Sequence, residues 1–300
     1  MYNKILKPGL GLLLVFALFQ ACSKGEKKMD IKGIVENEFK TEQGEFAMAF
    51  KNLETNETLL INADTRFHAA STMKTPVMIE VYKQAAAGKF SLTDSITIKN
   101  DFKSIVDGSP YSLSTDDDSE TELNTKLGEK RTISDLIYDM IIVSSNLATN
   151  LVIEWVDAKK VTETMRSLGA KDIEVLRGVE DIKAFEKGLS NSTTANDLMN
   201  IFEKMALGKA VNPEADQQMI EILKDQKFNE IIPAHLPEGV AVAHKTGVIT
   251  GVHHDSGIVY LPDGTRYVLI LLSKNMTDFD AGTAMMAKVS KHIYDYVTHD

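Results

Sequence analysis

The order of strand-type and helix-type segments constrains the fold of this chain more than any other feature. β-rich segments lie near both ends of the chain, at Glu45–Asn52, Thr58–Asn62, Val240–Lys245, Gly257–Leu261 and Tyr267–Ser273. The chain between these two groups has the apolar spacing of helices. Strands from both ends are therefore expected to form one antiparallel sheet that buries a face against the helices. We predict an α+β fold in which this sheet packs against an all-helical lobe, with the functional site in the cleft between them.

Helical spacing and capping residues predict helices at Ile31–Lys40, Ser71–Ala87, Ile133–Val143, Asn146–Val156, Lys159–Leu168, Thr194–Leu207, Glu214–Gln226 and Ala281–Thr298. Residues 91–131 are instead rich in turn signals and are predicted to be mostly loop. This stretch contains the acidic run Asp116–Asp118, followed by Glu120 and Glu122. The run lacks the spacing of an EF-hand, so it is interpreted as a solvated loop.

The first 22 residues indicate export from the cytoplasm. Lys4 and Lys7 precede the apolar run Leu10–Phe19, which is too short to span a bilayer, and Ala21-Cys22 follows. The segment resembles a bacterial lipoprotein signal, in which the cysteine after the cleavage site receives the lipid. We therefore expect a signal peptide at 1–21, a tether at 22–30 lipidated on Cys22, and one folded domain at 31–300. An ordinary cleaved signal that leaves an unmodified cysteine is the alternative.

Charge and cysteine content exclude several classes of protein. The net charge of −10 argues against nucleic acid as a partner, and a single cysteine excludes an internal disulfide framework and a cysteine-rich metal site. The run His253-His254-Asp255 offers metal-ligating side chains, but neighbouring residues on a strand point to opposite faces of the sheet. No metal site is therefore predicted, although one of these histidines could reach an anionic substrate.

Three short motifs carry the chemistry. Ser71 and Lys74 lie one turn apart at a predicted helix start, where a neutral lysine can take the proton of the serine hydroxyl. The second motif, Ser144-Ser145-Asn146, lies between two predicted helices and can project a hydroxyl and an amide into a cleft. The third, Lys245-Thr246-Gly247, ends a predicted strand, where a glycine lets a ligand lie along the strand edge.

In this order, the three motifs resemble those of the serine β-lactamase and penicillin-binding protein superfamily, especially the class A β-lactamases. The resemblance covers residues 31–300 and includes the segments Phe67–Ala70 and Asp255–Tyr260 around the motifs. It implies a serine hydrolase without a metal or organic cofactor. It implies that Ser71 is the nucleophile, Lys74 the acylation base and Ser144 a proton relay. Asn146 would bind the side-chain amide of the substrate. The contacts with the substrate carboxylate and the oxyanion would come from Lys245, Thr246, Gly247 and Val248.

Two positions depart from the class A pattern. Ser145 stands where these enzymes usually carry aspartate, and it is interpreted as a tolerated change. In the loop that carries the deacylating glutamate of the family, the sequence places Glu180 three residues after Arg177, one residue further than the family pattern. Glu180 is the favoured deacylating base, and Asp181 is one alternative; the other is that Glu180 is a surface acid in a loop that no longer positions water.

The resulting hypothesis is a monomeric, exported serine β-lactamase in the periplasm or cell envelope, anchored to the membrane by lipid at Cys22. It would hydrolyse β-lactams through a Ser71 acyl-enzyme and confer resistance to them. Two alternatives stay open: a D,D-peptidase or slow penicillin-binding protein that deacylates poorly, and a non-catalytic envelope lipoprotein.

Overall fold

The structure is a computed structural model that describes residues 1–3, 29–114, 118 and 120–299. Its helices are α1 Ile31–Phe39, α2 Lys74–Ala86, α3 Ile133–Ile142, α4 Asn146–Val156, α5 Ala158–Ser167, α6 Ile182–Glu186, α7 Ala195–Ala206, α8 Pro213–Lys224 and α9 Phe279–His299. Its strands are β1 Glu45–Asn52, β2 Thr58–Ile61, β3 Phe67–His68, β4 Ser95–Thr97, β5 Phe102–Lys103, β6 Pro110–Tyr111, β7 Lys130–Thr132, β8 Ser192–Thr193, β9 Ala241–Ile249, β10 Val252–Tyr260 and β11 Arg266–Lys274.

The five long strands form one antiparallel sheet in the order β2-β1-β11-β10-β9. The central contact joins the two ends of the chain, because Ala49 on β1 pairs with Ile270 on β11. Strand β9 lies at the edge of this five-stranded sheet beside β10, so its other side is available to the helical region. The predicted α+β fold, with one antiparallel sheet built from both chain ends, is confirmed.

Each face of the sheet is covered by different helices because inward side chains alternate along the strands. Phe50 of β1 and Leu269 of β11 pack with α1 and α9 in one apolar cluster. Ala49 and Ile270 point the other way, into the larger cluster that includes α7 and the helical lobe. The lobe consists of α2, α3, α4, α5 and α8, and its core is continuous with that face of the sheet.

The predicted ends of two strands were wrong. Strand β9 continues four residues past Lys245 to Ile249, and β10 begins at Val252, five residues before the predicted Gly257. The residues missed on β10 are buried but largely polar, and those missed on β9 include the exposed Val248 and Ile249, so neither stretch has the apolar alternation by which strands are recognised. The short helix α6 was also not predicted.

The predicted lipidation site and most of the export signal lie outside the described residues, as do Asp116 and Asp117. Among the residues that are described, no helix combines the length and the apolar character needed to cross a membrane.

Candidate active site

Ser71 lies on a 3₁₀ turn, Ala70–Met73, that leads directly into α2. Ala70, which precedes it, has a φ of +43°, an uncommon conformation for a residue with a side chain. The imidazole Nδ1 of His68 accepts a hydrogen bond from the Ala70 N–H at 3.0 Å and helps to hold this conformation. The strained residue places Ser71, which is half-buried, at the wall of a large cavity.

Two lysines converge on Ser144. The Lys74 ammonium donates to the Ser144 Oγ at 3.1 Å and to the Ser144 carbonyl oxygen at 2.7 Å. The Lys245 ammonium donates to the same Oγ at 3.1 Å, and both lysine side chains are fully buried. Ser144 itself has a φ of +58°, which turns it out of the helical path between α3 and α4. The three motifs found in the sequence therefore meet around one hydroxyl group.

Burial changes the proton affinity of both lysines. The pKa of Lys74 lies well below its ordinary value, mainly because burial disfavours the ammonium and also because Lys245 is a neighbouring cation. The carboxylates of Asp118 and Glu180 oppose this shift. Burial lowers the pKa of Lys245 to about 7, against a smaller opposing effect of Asp255. A lysine with a lowered pKa can accept a proton near neutral pH, which is the property required of a base.

Gly247 allows the edge strand to approach the nucleophile. A Cβ atom at this position would lie 2.9 Å from the Ser71 nitrogen and 3.1 Å from the Thr72 nitrogen. The sequence hypothesis gave this glycine the role of making room for a ligand, whereas the structure shows that it makes room for the backbone of the Ser71 turn. The contact sets β9, with Thr246 and Val248 in the cavity wall, directly beside Ser71.

Glu180 lies in the cavity wall and is connected to Lys74 through Asn146. The Asn146 amide nitrogen donates to Glu180 Oε1 at 3.2 Å, and its amide oxygen accepts from the Lys74 ammonium at 3.0 Å. The second carboxylate oxygen of Glu180 accepts from the Ser114 N–H at 3.1 Å. The structure thus brings the carboxylate favoured from the sequence into the same hydrogen-bonded group as Ser144 and Lys74.

Asn150, which the sequence analysis missed, holds the backbone next to Glu180. Its amide oxygen accepts from the Val179 N–H at 2.7 Å, and its amide nitrogen donates to the Val179 carbonyl at 3.1 Å. Gly178 makes this possible, since a Cβ there would lie 2.2 Å from the Asn150 oxygen. Asn150 is four residues after Asn146 on α4, so the helical spacing was the signal that could have found it.

Asp181, the alternative base, is occupied in holding the loop together. Its Oδ1 accepts from the Ser104 hydroxyl at 2.8 Å and from the Ala184 N–H at 3.1 Å. Its Oδ2 accepts from the Ile105 N–H at 2.9 Å, and the side chain is 2% exposed. These contacts cap α6 and join two loops, so the Asp181 carboxylate has a structural role in this loop.

The prediction that the whole acidic run is a solvated loop was wrong for Asp118, which is 6% exposed. Its carboxylate accepts hydrogen bonds from the Asn146 and Leu147 N–H groups, each at 2.9 Å, at the start of α4. The first backbone N–H groups of a helix have no acceptor within the helix, so a buried carboxylate that accepts their hydrogen bonds is stabilised there. The sequence gave no signal for this contact, which spans 28 residues to Asn146.

The cavity beside these residues has a volume of about 1000 Å³ and is lined by both polar and apolar side chains. His253 lies in its wall, stacked on Phe279, while its Nδ1 contacts the Thr283 hydroxyl at 2.8 Å. His254 is fully buried, and its Nε2 donates to the His68 carbonyl at 2.9 Å. Burial lowers the pKa of His254 to about 4, so it is neutral at physiological pH. Only His253 of this pair lies where it could meet a substrate.

No group of three or more potential metal ligands exists among the described residues. The histidine pair is divided between the cavity and the protein interior, as expected for adjacent residues on a strand.

A serine at the start of a helix, a buried lysine one turn later, and a second serine between two buried lysines form an arrangement that can activate a serine hydroxyl for acyl transfer. The chain belongs to the β-lactamase enzyme family, whose model matches residues 28–297. This result confirms the resemblance found in the motifs.

Individual relatives agree with this assignment at low identity. The chain is 24% identical over 243 residues to β-lactamase PSE-4 of Pseudomonas aeruginosa, covering 79% of this chain and 80% of that protein. The structure of a β-lactamase from Sphaerobacter thermophilus is 28% identical and covers 89% of this chain and 97% of its own, with a TM-score of 0.75. A mutant of PBP-A, solved as an acyl-enzyme complex with penicillin G, shares the fold at 24% identity, covering 89% and 96%, with a TM-score of 0.75.

Proposed function

We propose that this protein is a serine β-lactamase that hydrolyses the β-lactam amide through an acyl-enzyme on Ser71. The observation that carries the proposal is the connection of Glu180 through Asn146 to Lys74, in the wall of the cavity that also contains Ser71. This connection adds a carboxylate that can serve in deacylation to the lysines that are needed for acylation. Family membership supports a hydrolase acting on β-lactams. That the acyl-enzyme is then hydrolysed, so that the enzyme turns over, is our proposal.

Acylation begins when the neutral amine of Lys74 takes the proton of the Ser71 hydroxyl. The Ser71 Oγ then attacks the lactam carbonyl carbon, and the oxyanion accepts hydrogen bonds from the N–H groups of Ser71 and Val248. The carbon–nitrogen bond breaks as the leaving nitrogen takes a proton from the Ser144 hydroxyl. That proton is replaced from Lys74 or Lys245, because both lie 3.1 Å from the Ser144 Oγ.

Substrate binding uses Asn146 and Thr246 of the cavity wall and the buried Lys245 beside Thr246. The Asn146 amide meets the side-chain amide of the substrate, and the Thr246 hydroxyl with Lys245 meets its carboxylate. Lys245 has a pKa of about 7, so an incoming carboxylate would favour its protonated form. Binding and proton supply are thereby coupled at one residue.

Deacylation requires a water molecule between a base and the ester carbon. Glu180 takes a proton from this water, the hydroxide oxygen attacks the ester carbon, and the Ser71 Oγ leaves with a proton returned through Lys74. The product is the opened β-lactam acid, and the enzyme returns to its starting state. The backbone of Glu180 has a φ of +61°, so the chain turns at this residue, directly after the Val179 peptide that Asn150 binds.

A time course with a chromogenic cephalosporin tests the proposal. Sustained turnover is expected in the wild type, and Ser71→Ala should abolish both turnover and covalent labelling by a fluorescent penicillin. Glu180→Gln should acylate normally but accumulate a stable adduct on Ser71, visible by mass spectrometry. Asp181→Asn is the matched control, because it changes the adjacent carboxylate and should leave deacylation much faster than Glu180→Gln does.

Two other outcomes would replace the proposal. A stoichiometric burst without turnover in the wild type would indicate a D,D-peptidase or slow penicillin-binding protein. No burst at all would indicate a non-catalytic envelope protein.

The location of the enzyme is part of the proposal. The apolar run before Cys22 supports export and a lipid anchor on that cysteine, with the folded domain acting as a monomer in the cell envelope. This location would place the enzyme where it could intercept β-lactams and confer resistance.

A further inference from the structure

We propose that Asp118 is a positioning residue for acylation, which supplies from a distant loop the carboxylate that is absent from position 145. It fixes the start of α4 and with it the Ser144 hydroxyl and the Asn146 amide. This inference rests on the proposed acylation of Ser71 and adds a residue that none of the three motifs contains.

The geometry of the Asp118 carboxylate shows what it holds. Its Oδ1 accepts from the Asn146 N–H, and its Oδ2 accepts from the Leu147 N–H, each at 2.9 Å. Oδ2 also lies 3.4 Å from the Ser145 hydroxyl, which caps α4 through the Ala148 N–H at 3.2 Å. Three successive N–H groups at this helix start are thus satisfied by two side chains. A carboxylate is also favourable there because of the helix dipole.

The position of these contacts connects them to the reacting groups. Asn146 binds Lys74 and Glu180 through its side chain and Asp118 through its backbone N–H. Ser144 is the residue before the cap and has a φ of +58°, so its strained backbone depends on a fixed neighbour. Loss of the Asp118 carboxylate would let the Ser144–Asn146 segment move, and both lysines would lose their common acceptor.

Asp118 also acts on Lys74 through its charge. The charged groups that face Lys74 are Lys245 on β9, Glu180 on the loop before α6, and Asp118. The negative charge of Asp118 raises the pKa of Lys74, opposing burial and Lys245. A neutral residue at 118 should therefore lower the pKa of Lys74 further. The acidic limb of the acylation rate, where Lys74 becomes protonated, should move to lower pH.

The first test compares Asp118→Asn with Glu120→Gln. Glu120 is a matched control because its carboxylate also orders this part of the chain, accepting from the Glu122 and Leu123 N–H groups at 2.7 and 2.8 Å. Acylation of Ser71 by a fluorescent penicillin is measured by rapid quench across pH. We expect Asp118→Asn to lower the maximal rate on the order of 10–100-fold, the usual cost of a small misplacement, and to move the acidic limb to lower pH. Glu120→Gln should change neither.

The second test moves the carboxylate. Ser145→Asp alone places a second carboxylate against Asp118 and should slow acylation, because the two charges repel each other at about the 3.4 Å that now separates the side chains. The double variant Asp118→Asn/Ser145→Asp has one carboxylate again, at a helix cap position. Its acylation rate should exceed that of both single variants, whereas additive losses would contradict the positioning role.

Hydrogen exchange separates this inference from the proposed function. The Asn146 and Leu147 amides should exchange faster in Asp118→Asn than in the wild type, measured by mass spectrometry on a peptide that spans 144–148. If the wild type is not acylated, the proposed function fails, and exchange still tests the contact. If Asp118→Asn acylates and exchanges as the wild type does, or if Glu120→Gln lowers the rate as much, the inference is wrong.

Discussion

Replacing Lys245 with methionine is expected to make the stability of the protein less dependent on pH. The Lys245 side chain is fully buried, and burial lowers its pKa from 10.5 to about 7. Between these two pH values the unfolded chain binds the proton of Lys245 and the folded protein does not. Raising the pH through this window therefore removes a cost of folding, at up to about 1.4 kcal/mol per pH unit.

The size of the effect follows from the same shift. Over the whole window, the lowered pKa corresponds to roughly 5 kcal/mol of destabilisation near neutral pH. Methionine does not titrate, so Lys245→Met escapes this cost but loses the hydrogen bonds to the Ser144 Oγ and the Thr246 carbonyl. Those losses do not depend on pH in this range. Removing the cation also raises the pKa of Lys74, which flattens the pH dependence of the variant further.

Urea unfolding between about pH 7 and pH 9.5, followed by the fluorescence of the single tryptophan Trp155, measures this difference. Titration of Lys245 should make the free energy of unfolding of the wild type rise relative to that of Lys245→Met by up to about 1.4 kcal/mol per pH unit, and the effect on Lys74 should add to this difference. Lys187→Met controls for the loss of a lysine at an exposed position. Parallel curves for the wild type and Lys245→Met would refute the argument that burial depresses this pKa.

Three further predictions concern other parts of the chain. Gly247→Ala should lower the free energy of unfolding by about 1–3 kcal/mol and slow penicillin labelling, because its Cβ would lie 2.9 Å from the Ser71 nitrogen; an unchanged urea midpoint would contradict this. Asn150→Ala should slow deacylation more than acylation in single-turnover assays, since it releases the backbone before Glu180, and equal losses in both steps would argue against that role. Cys22→Ser should move the protein from the membrane fraction to the soluble fraction, and continued membrane association would exclude the lipid anchor.

The fold could be predicted where side-chain chemistry and burial agree. The β-rich, mostly apolar segments Glu45–Asn52 and Tyr267–Ser273 identified the central strands, and their pairing followed from the need to bury a common face. The prediction failed at Thr246–Ile249, which includes the exposed Val248 and Ile249, and at Val252–Ser256, where all five residues are buried and four are polar. Strand formation there is determined by backbone pairing between β9 and β10, which hydropathy does not reveal.

The candidate site could be predicted where a motif is contiguous. Ser71 and Lys74 are related by one helical turn, so local spacing identified them as partners. Asn150 follows the same logic, one turn beyond Asn146, and could have been found. The convergence of Lys74 and Lys245 on the Ser144 Oγ depends on contacts across 70 and 101 residues, for which only the resemblance to a known family provided a guide.

The two departures from the class A pattern have a common physical explanation in this structure. At each one the chain supplies a carboxylate from a different position while keeping its contact with the Ser144–Asn146 segment. Glu180 is one residue later than the pattern, yet its Oε1 reaches the Asn146 amide. Ser145 lacks a carboxylate, yet Asp118 binds the adjacent N–H groups from another loop. Asp118 and Glu180 both oppose the lowering of the Lys74 pKa by burial and by Lys245, and this effect depends on position in space rather than position in the sequence.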